Sequence, residues 1–203
     1  QRHSPKNRGF STWLGYWHHS NDYWTMNQEK CYNEDIKDLW RIDKQNNIDG
    51  PADSLVNNPS CSVDNQTPDG RCEYEERIMV DEVKHILRTA ATESPMKPLF
   101  LFYSMHLVHM PLEPLDAALE KFDHINDISR RKMHAMVYTM DTYIGEIVDV
   151  LKETDLWNNT LLVFHSDNGG EIMTKFCGGN NYPLRGGKFS QFEGGIRSNA
   201  FVT

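Results

Sequence analysis

Two long amphipathic stretches alternate with two short apolar runs, and this rhythm constrains the fold more than any other feature of the chain. In "EYEERIMVDEVKHILRTAATE", Ile78, Met79, Val83, Ile86, Leu87 and Ala90 recur at helical spacing, which predicts a helix over about 73–93. "SPMKP" breaks it, and "LFLFYSM" follows as a continuous apolar run between turns, the pattern of a strand covered on both faces. A second helix is predicted over about 129–154, with Met133, Met136, Val137, Met140, Ile144, Ile147, Val148 and Leu151 tracing one face. The methionines fit as adaptable core filler. "LLVFHS" reads as the next buried strand, and "NAFV" as another short one. Helix, strand, helix, strand is the order of a parallel α/β sheet.

The flanks are less regular. Residues 1–30 carry the aromatic segment "FSTWLGYWHHSNDYWTM", expected as a loop layer over the core or a pocket wall. Residues 31–74 are rich in Asn, Asp, Pro and Gly and are expected to form an irregular surface excursion. Beyond residue 170 the chain turns glycine-rich, "CGGNNYPLRGGKFSQFEGGIRSNAFVT", which implies close backbone approach. Its opening, "QRHSPKNRGF", has no charged-then-apolar leader and reads as mid-chain sequence.

Charge narrows the function. A formal net charge of −8 argues against a nucleic-acid or anionic-membrane binder. The longest apolar runs fall far short of the roughly 20 residues that span a bilayer. Lys175, Arg185, Lys188 and Arg197 could still gather around a small anion. None of the four cysteines sits in a C-x-x-C pair. Cys61 and Cys72 bracket a polar, turn-rich loop as disulfide candidates, with Cys31 a competing partner. Asn65 and Asn158 head N-x-S/T acceptors, which points to a secretory, lysosomal or extracellular protein.

In open α/β sheets ligands bind beyond the carboxyl ends of the strands. "HLVHMP" and "SDNGG" would both lie there. Asp167 offers a carboxylate and Asn168 a carbonyl oxygen, so "DNGG" is either a plain turn or part of an oxygen-donor set for calcium, with magnesium the alternative. His106 and His109 are spaced H-x-x-H without the H-E-x-x-H pattern of a zinc helix. A functional histidine in this loop would act as general acid or anion contact. Lys188 in "RGGK" lacks the spacing of a nucleotide phosphate loop.

With these pieces in order, the sequence resembles the type I sulfatases, specifically the arylsulfatase B-like branch. The resemblance runs through "RGFSTWLGYWHHSNDYWT", "PLFLFYSMHLVHMPLEPL", "MVYTMDTYIGEIVDVLKETDLWNNTLLVFHSDNGG" and "GGNNYPLRGGKFSQFEGGIRSNAFV", and is weakest over 31–74. It implies an alkaline-phosphatase-like α/β fold with a central, mostly parallel sheet, of which 1–203 would be a partial catalytic domain. It also implies hydrolysis of sulfate esters of aryl or glycosaminoglycan-type sugar substrates at a calcium-assisted site. By that resemblance Asp167 and Asn168 fall on metal ligands, His109 on the residue that contacts sulfate and protonates the leaving oxygen, and Lys188 on a sulfate-binding cation. His106 matches no catalytic position and is expected to be structural.

The family nucleophile arises from a Cys or Ser in C-x-[PA]-x-R, oxidised to formylglycine by the formylglycine-generating enzyme. "CYNED", "CSVDN", "CEYEE" and "CGGNN" do not match that pattern. The paired N-terminal Asp ligands and the C-terminal subdomain of the family are likewise not matched. The expectation is a sulfatase parent protein of which this chain alone is inactive. A phosphodiesterase or phosphatase of the same superfamily, and a non-catalytic paralogue that binds sulfated glycans, are the competing readings.

Overall fold

A computed structural model describes residues 3–18, 21–27, 37–52, 73–93, 97–174 and 176–203. The chain divides into two units, Gln1–Ile86 with Phe102–Glu113, and Leu87–Leu101 with Pro114–Thr203. Cys31, Cys61, Cys72, Asn65 and Lys175 lie outside the described residues.

The first unit is built on three short strands, β1 (Thr12–Gly15), β2 (Trp40–Asp43) and β3 (Ile48–Pro51), in one antiparallel sheet of order β1-β2-β3. Trp13 faces Ile42 across the first ladder, and Trp40 faces Pro51 across the second. Part of the region expected to be irregular is therefore an ordered hairpin. Its turn is made locally: the Asp43 carboxylate accepts from the backbone N–H of Gln45 (2.9 Å) and Asn46 (3.1 Å) and from the Asn46 amide (2.7 Å), and Asn47 takes a left-handed φ of 54°. Burial alone would raise the Asp43 carboxyl; these hydrogen bonds and the Arg41 charge hold it below its usual range instead.

Helix α1 (Glu75–Glu93) packs on this sheet through Ile78, which joins Met26, Leu39 and Ala52 in one apolar cluster with Leu14 and Met79 at its edge. Of the predicted inward face Val83 and Leu87 are also buried and Met79, Ile86 and Ala90 half-buried, and Val80, not placed on that face by spacing, is buried as well. Its first turn also points inward: Glu75 and Glu76 are both fully buried.

The second unit is organised by α2 (Asp116–Leu119) and α3 (Ile128–Glu153), which pack together. Asp127 caps α3 by accepting the Arg130 N–H at 2.9 Å. Its buried residues are Ala135, Met136, Thr139, Tyr143, Val150 and Leu151. Val137, expected on that face, is 41% exposed. The inward stripe runs through Thr139 and Tyr143, and the Thr139 hydroxyl is satisfied by the Ala135 carbonyl at 3.0 Å.

β4 (Val163–His165) pairs antiparallel with β5 (Ala200–Val202), with Phe164 stacked on Phe201 across the ladder at 5.1 Å. The ladder continues through Leu162 with Thr203 and through the Ser166 N–H to the Asn199 carbonyl. Two expectations are corrected here. "LFLFYSM" belongs to no ladder among the described residues, and its Phe100 and Phe102 are 77% and 66% exposed rather than covered. The parallel pairing expected between the two apolar runs is not formed among those residues, where both sheets are antiparallel. An apolar run becomes a strand only when its N–H and C=O groups find a partner, and hydrophobicity does not specify that partner.

α4 (Glu193–Ile196) closes the glycine-rich segment. No helix among the described residues is long and apolar enough to cross a membrane.

Candidate active site

Asp167, Asn168 and Lys188 lie in the second unit, His106 and His109 in the first. In the second unit, the β4–β5 ladder delivers "DNGG" to a cluster of loops joined backbone to backbone. The Lys188 N–H donates to the Gly170 carbonyl (3.1 Å), the Gly169 N–H to the Gly195 carbonyl (2.9 Å), and the Gly194 N–H to the Arg185 carbonyl (2.8 Å). Asn181 bridges the cluster. Its amide nitrogen donates to the carbonyls of Gly170 (2.8 Å) and Gly186 (3.1 Å), while its oxygen accepts the Gly170 N–H at 2.9 Å. The Ser166 hydroxyl donates to the Asn168 carbonyl at 2.7 Å.

This packing explains the glycines. A Cβ on Gly169 would stand 1.7 Å from the Gly194 carbonyl oxygen, and one on Gly194 would stand 2.2 Å from that of Gly186. The structure therefore brings the two oxygen-bearing residues and the lysine onto one loop cluster. Lys188 is half-buried, with its ammonium 5.4 Å from the Phe189 ring centre. Asp167 is exposed and Asn168 half-buried, so a carboxylate and an amide carbonyl fit one part of a hard-cation shell. Among the described residues no group of three or more His, Cys, Asp and Glu side chains could hold a metal ion. Asn158 is exposed on the short turn Trp157–Asn159, and Cys177 is free, its Sγ donating to the Thr174 carbonyl.

In the first unit, His109 is half-buried and its Nδ1 lies 2.8 Å from the Met110 carbonyl. A carbonyl can only accept, so the proton sits on Nδ1 and Nε2 is the nitrogen that gains or loses one. His106, expected to be structural, is buried with its Nδ1 on the Glu75 carboxylate at 2.9 Å. Its Nε2 is buried with no hydrogen-bond partner among the described residues.

The sequence reading missed the acid pair that heads α1. Glu75 also accepts from the Asn21 amide at 3.0 Å, and Glu76 accepts from the Tyr103 hydroxyl and, at 2.9 Å, from the Leu107 N–H. "EYEER" shows three acids at a helix start, which the helix dipole favours, but spacing does not reveal that Glu75 and Glu76 face inward. Tyr16 and Tyr23 are both pushed up from their ordinary value; burial is the main cause for each, reinforced by the charges of Glu75 and Glu76.

Glu76 itself is raised above its ordinary 4.5, first by burial and further by the Glu75 charge, against the hydrogen bonds from Tyr103 and Leu107. A carboxyl raised in the folded state holds more protons there than in the unfolded chain. Its contribution to stability is thus complete below the ordinary value and is lost as pH climbs through the raised one. Glu76→Gln stays neutral and can accept from Leu107 while donating to Tyr103. The variant is expected to gain stability relative to wild type as pH rises above 4.5, measured as the difference in urea midpoints. A difference that stays constant with pH would contradict the raised carboxyl.

Comparison with known proteins matches this chain to one family. The family model "Sulfatase" covers residues 1–203. Mouse arylsulfatase J is 34% identical over 200 residues, which is 98% of this chain and 29% of that protein. Human N-acetylgalactosamine-6-sulfatase is 32% identical over 106 residues, 52% of this chain and 19% of that protein. The solved structure of Ps i-CgsB in complex with k-i-k-neocarrahexaose superposes with a TM-score of 0.75 at 26% identity, covering 99% of this chain and 41% of that one. The α/β fold is that of the alkaline-phosphatase-like sulfatases. The chain thus spans less than half the length of each of these proteins, and over all of its own 203 residues it belongs to the sulfatase family.

Proposed function

We propose that this chain is part of a sulfuric ester hydrolase acting on aryl or sugar sulfates, with Asp167, Asn168, Lys188 and His109 as its contribution to the site. The observation that carries the proposal is the docking of the Lys188 N–H on the Gly170 carbonyl at 3.1 Å. It ties the backbone of the lysine to the loop that carries Asp167 and Asn168, so all three residues stand on one loop cluster. The substrate class is supported by the names of the relatives, among them an arylsulfatase and an N-acetylgalactosamine-6-sulfatase.

Each residue has a role that its chemistry allows. The Lys188 ammonium binds the sulfate oxygens and opposes the charge that gathers on them as the S–O bond breaks. His109, with Nδ1–H held by the Met110 carbonyl, carries a second proton on Nε2 and gives it to the departing ester oxygen. Asp167 and Asn168 would hold calcium, which when bound adds positive charge against the sulfate group. The pattern of the family nucleophile, a Cys or Ser in C-x-[PA]-x-R, is not matched in these 203 residues.

The test is turnover of an aryl sulfate by the full-length protein co-expressed with the formylglycine-generating enzyme. Hydrolysis of sulfate but not phosphate esters supports the proposal. Phosphate-selective turnover would favour the phosphatase reading, and tight binding of sulfated glycan with no turnover the non-catalytic one. Within an active protein, Lys188→Ala is expected to lower kcat/KM by roughly 100-fold, the scale of losing one charge-stabilising donor. An unchanged rate would reduce Lys188 to a surface cation.

A further inference from the structure

The first turn of α1 and the ring of Tyr23 hold the loop that carries His109 almost residue by residue. Tyr23 is fully buried. Its hydroxyl donates to the His106 carbonyl (2.9 Å), lies 3.3 Å from the His109 carbonyl, and accepts the His109 N–H at 3.2 Å. One oxygen thus touches both peptide groups of His109. Its ring stacks on the His106 imidazole with centroids 4.1 Å apart and planes 12° apart, and also on Tyr74 at 5.2 Å.

His106 is fixed in turn by Glu75, whose second oxygen is taken by Asn21. Glu76 receives the next N–H, that of Leu107, and the Tyr103 hydroxyl before it. The far end of the loop is tied as well: the Tyr23 N–H donates to the Glu113 carboxylate at 3.1 Å, and the Tyr74 hydroxyl to the Glu113 carbonyl at 2.9 Å. His106 offers nothing to a substrate, because one ring nitrogen is spent on Glu75 and the other is buried.

We propose that Tyr23 is a positioning residue for His109, aiming its imidazole by holding the peptide groups on both sides of it, with His106 and Glu75 fixing the Tyr23 ring in place. The inference rests on the reading of His109 as the group that protonates the leaving oxygen. A proton donor works only within hydrogen-bond reach of that oxygen, and a small misplacement lowers the rate without weakening substrate binding. Packing alone could not do this, since stacking fixes the plane of a ring but not the direction of a backbone N–H.

Tyr23→Phe removes the hydroxyl and keeps the stacked ring, so it separates the two roles. In the full-length protein it is expected to lower kcat by roughly 10- to 100-fold while KM moves by less than about twofold. The loss should be larger for phenyl sulfate than for para-nitrophenyl sulfate, whose leaving group needs less help from an acid. His109→Ala should show the same dependence on leaving group, and adding Tyr23→Phe to it should cost almost nothing more. Equal losses on both esters, or losses that simply add, would overturn the positioning role. If His109→Ala itself shows no such dependence, the general-acid reading falls instead.

The geometric claim is read apart from turnover by hydrogen exchange. Tyr23→Phe should speed exchange of the His109 amide by about 10-fold or more while the amides of α1 stay protected. An unchanged His109 amide would overturn the proposal whatever the enzyme turns over. Glu75→Gln, which keeps an oxygen for the His106 Nδ1–H, should retain most of the wild-type rate where Glu75→Ala does not.

Discussion

Asp167→Ala in the full-length protein is expected to abolish retained calcium and to slow hydrolysis of an aryl sulfate by about 1000-fold or more, the scale of several kcal/mol of charge stabilisation supplied by a bound metal. The expectation follows from what Asp167 does and does not hold together. Hydrogen bonds of its loop run through the Ser166 hydroxyl to the Asn168 carbonyl and through the backbones of Gly169 and Gly170. The Asp167 side chain is exposed. Losing it removes the only full negative charge of the "DNGG" loop and leaves that loop's scaffold intact. Metal content measured on the purified variant, with its thermal midpoint unchanged, checks the assignment. A normal calcium content would refute it, and a variant that loses activity while keeping its metal would move Asp167 to another role.

Gly169→Ala is expected to act in the opposite way, on the scaffold and only through it on the site. The added methyl would sit 1.7 Å from the Gly194 carbonyl oxygen and 2.7 Å from its carbon, both backbone atoms that cannot rotate away. Relief requires the two loops to part, which breaks the Gly169 N–H to Gly195 carbonyl bond at 2.9 Å. The expected loss is about 3 kcal/mol or more, beyond the usual range for adding a methyl to a packed site. For a chain of this size that is a drop of roughly 10 °C in Tm.

Gly145 is the matched control. It lies within α3, and a Cβ there would meet nothing within 4 Å. Gly145→Ala is expected to raise stability by about 0.5–1 kcal/mol, through helix propensity and a less flexible unfolded chain. Similar effects of the two substitutions would show that close packing at Gly169 is not what matters.

The sequence made some of this legible and hid the rest for identifiable reasons. The two long helices were readable because a periodic face of apolar residues persists over many turns, and each lies within two residues of its predicted bounds. The short strand at "NAFV" was readable as β5. The hairpin of β2 and β3 was not, because four-residue strands joined by "KQNN" carry too little alternation to stand out from a polar loop. "LFLFYSM" misled in the other direction, since apolar content reports a preference for burial and not the presence of a ladder partner.

The site divides along the same line. Asp167, Asn168 and Lys188 stood out only because their motifs follow the order of the sulfatases, since Asp and Asn before Gly are ordinary turn residues on their own. Their joining through Gly170 and Asn181 could not, because it is made of backbone groups that every residue possesses. Glu75 and Glu76 were hidden because acids at the start of a helix are ordinary on a solvated surface. Only burial distinguishes a first-turn carboxylate that faces water from one that holds a loop.

The Asn181 bridge has a chemical consequence of its own. Its amide gives two protons to the carbonyls of Gly170 and Gly186 and takes one from the Gly170 N–H, a set of contacts that needs both ends of a carboxamide. Hydrolysis of that amide to an acid, the slow deamidation that asparagine undergoes with age, would replace its donating nitrogen with an acceptor oxygen facing the same two carbonyl oxygens. The clasp between the "DNGG" and "RGGK" loops would then be a point of repulsion. The durability of the site is therefore set in part by the lifetime of one amide bond.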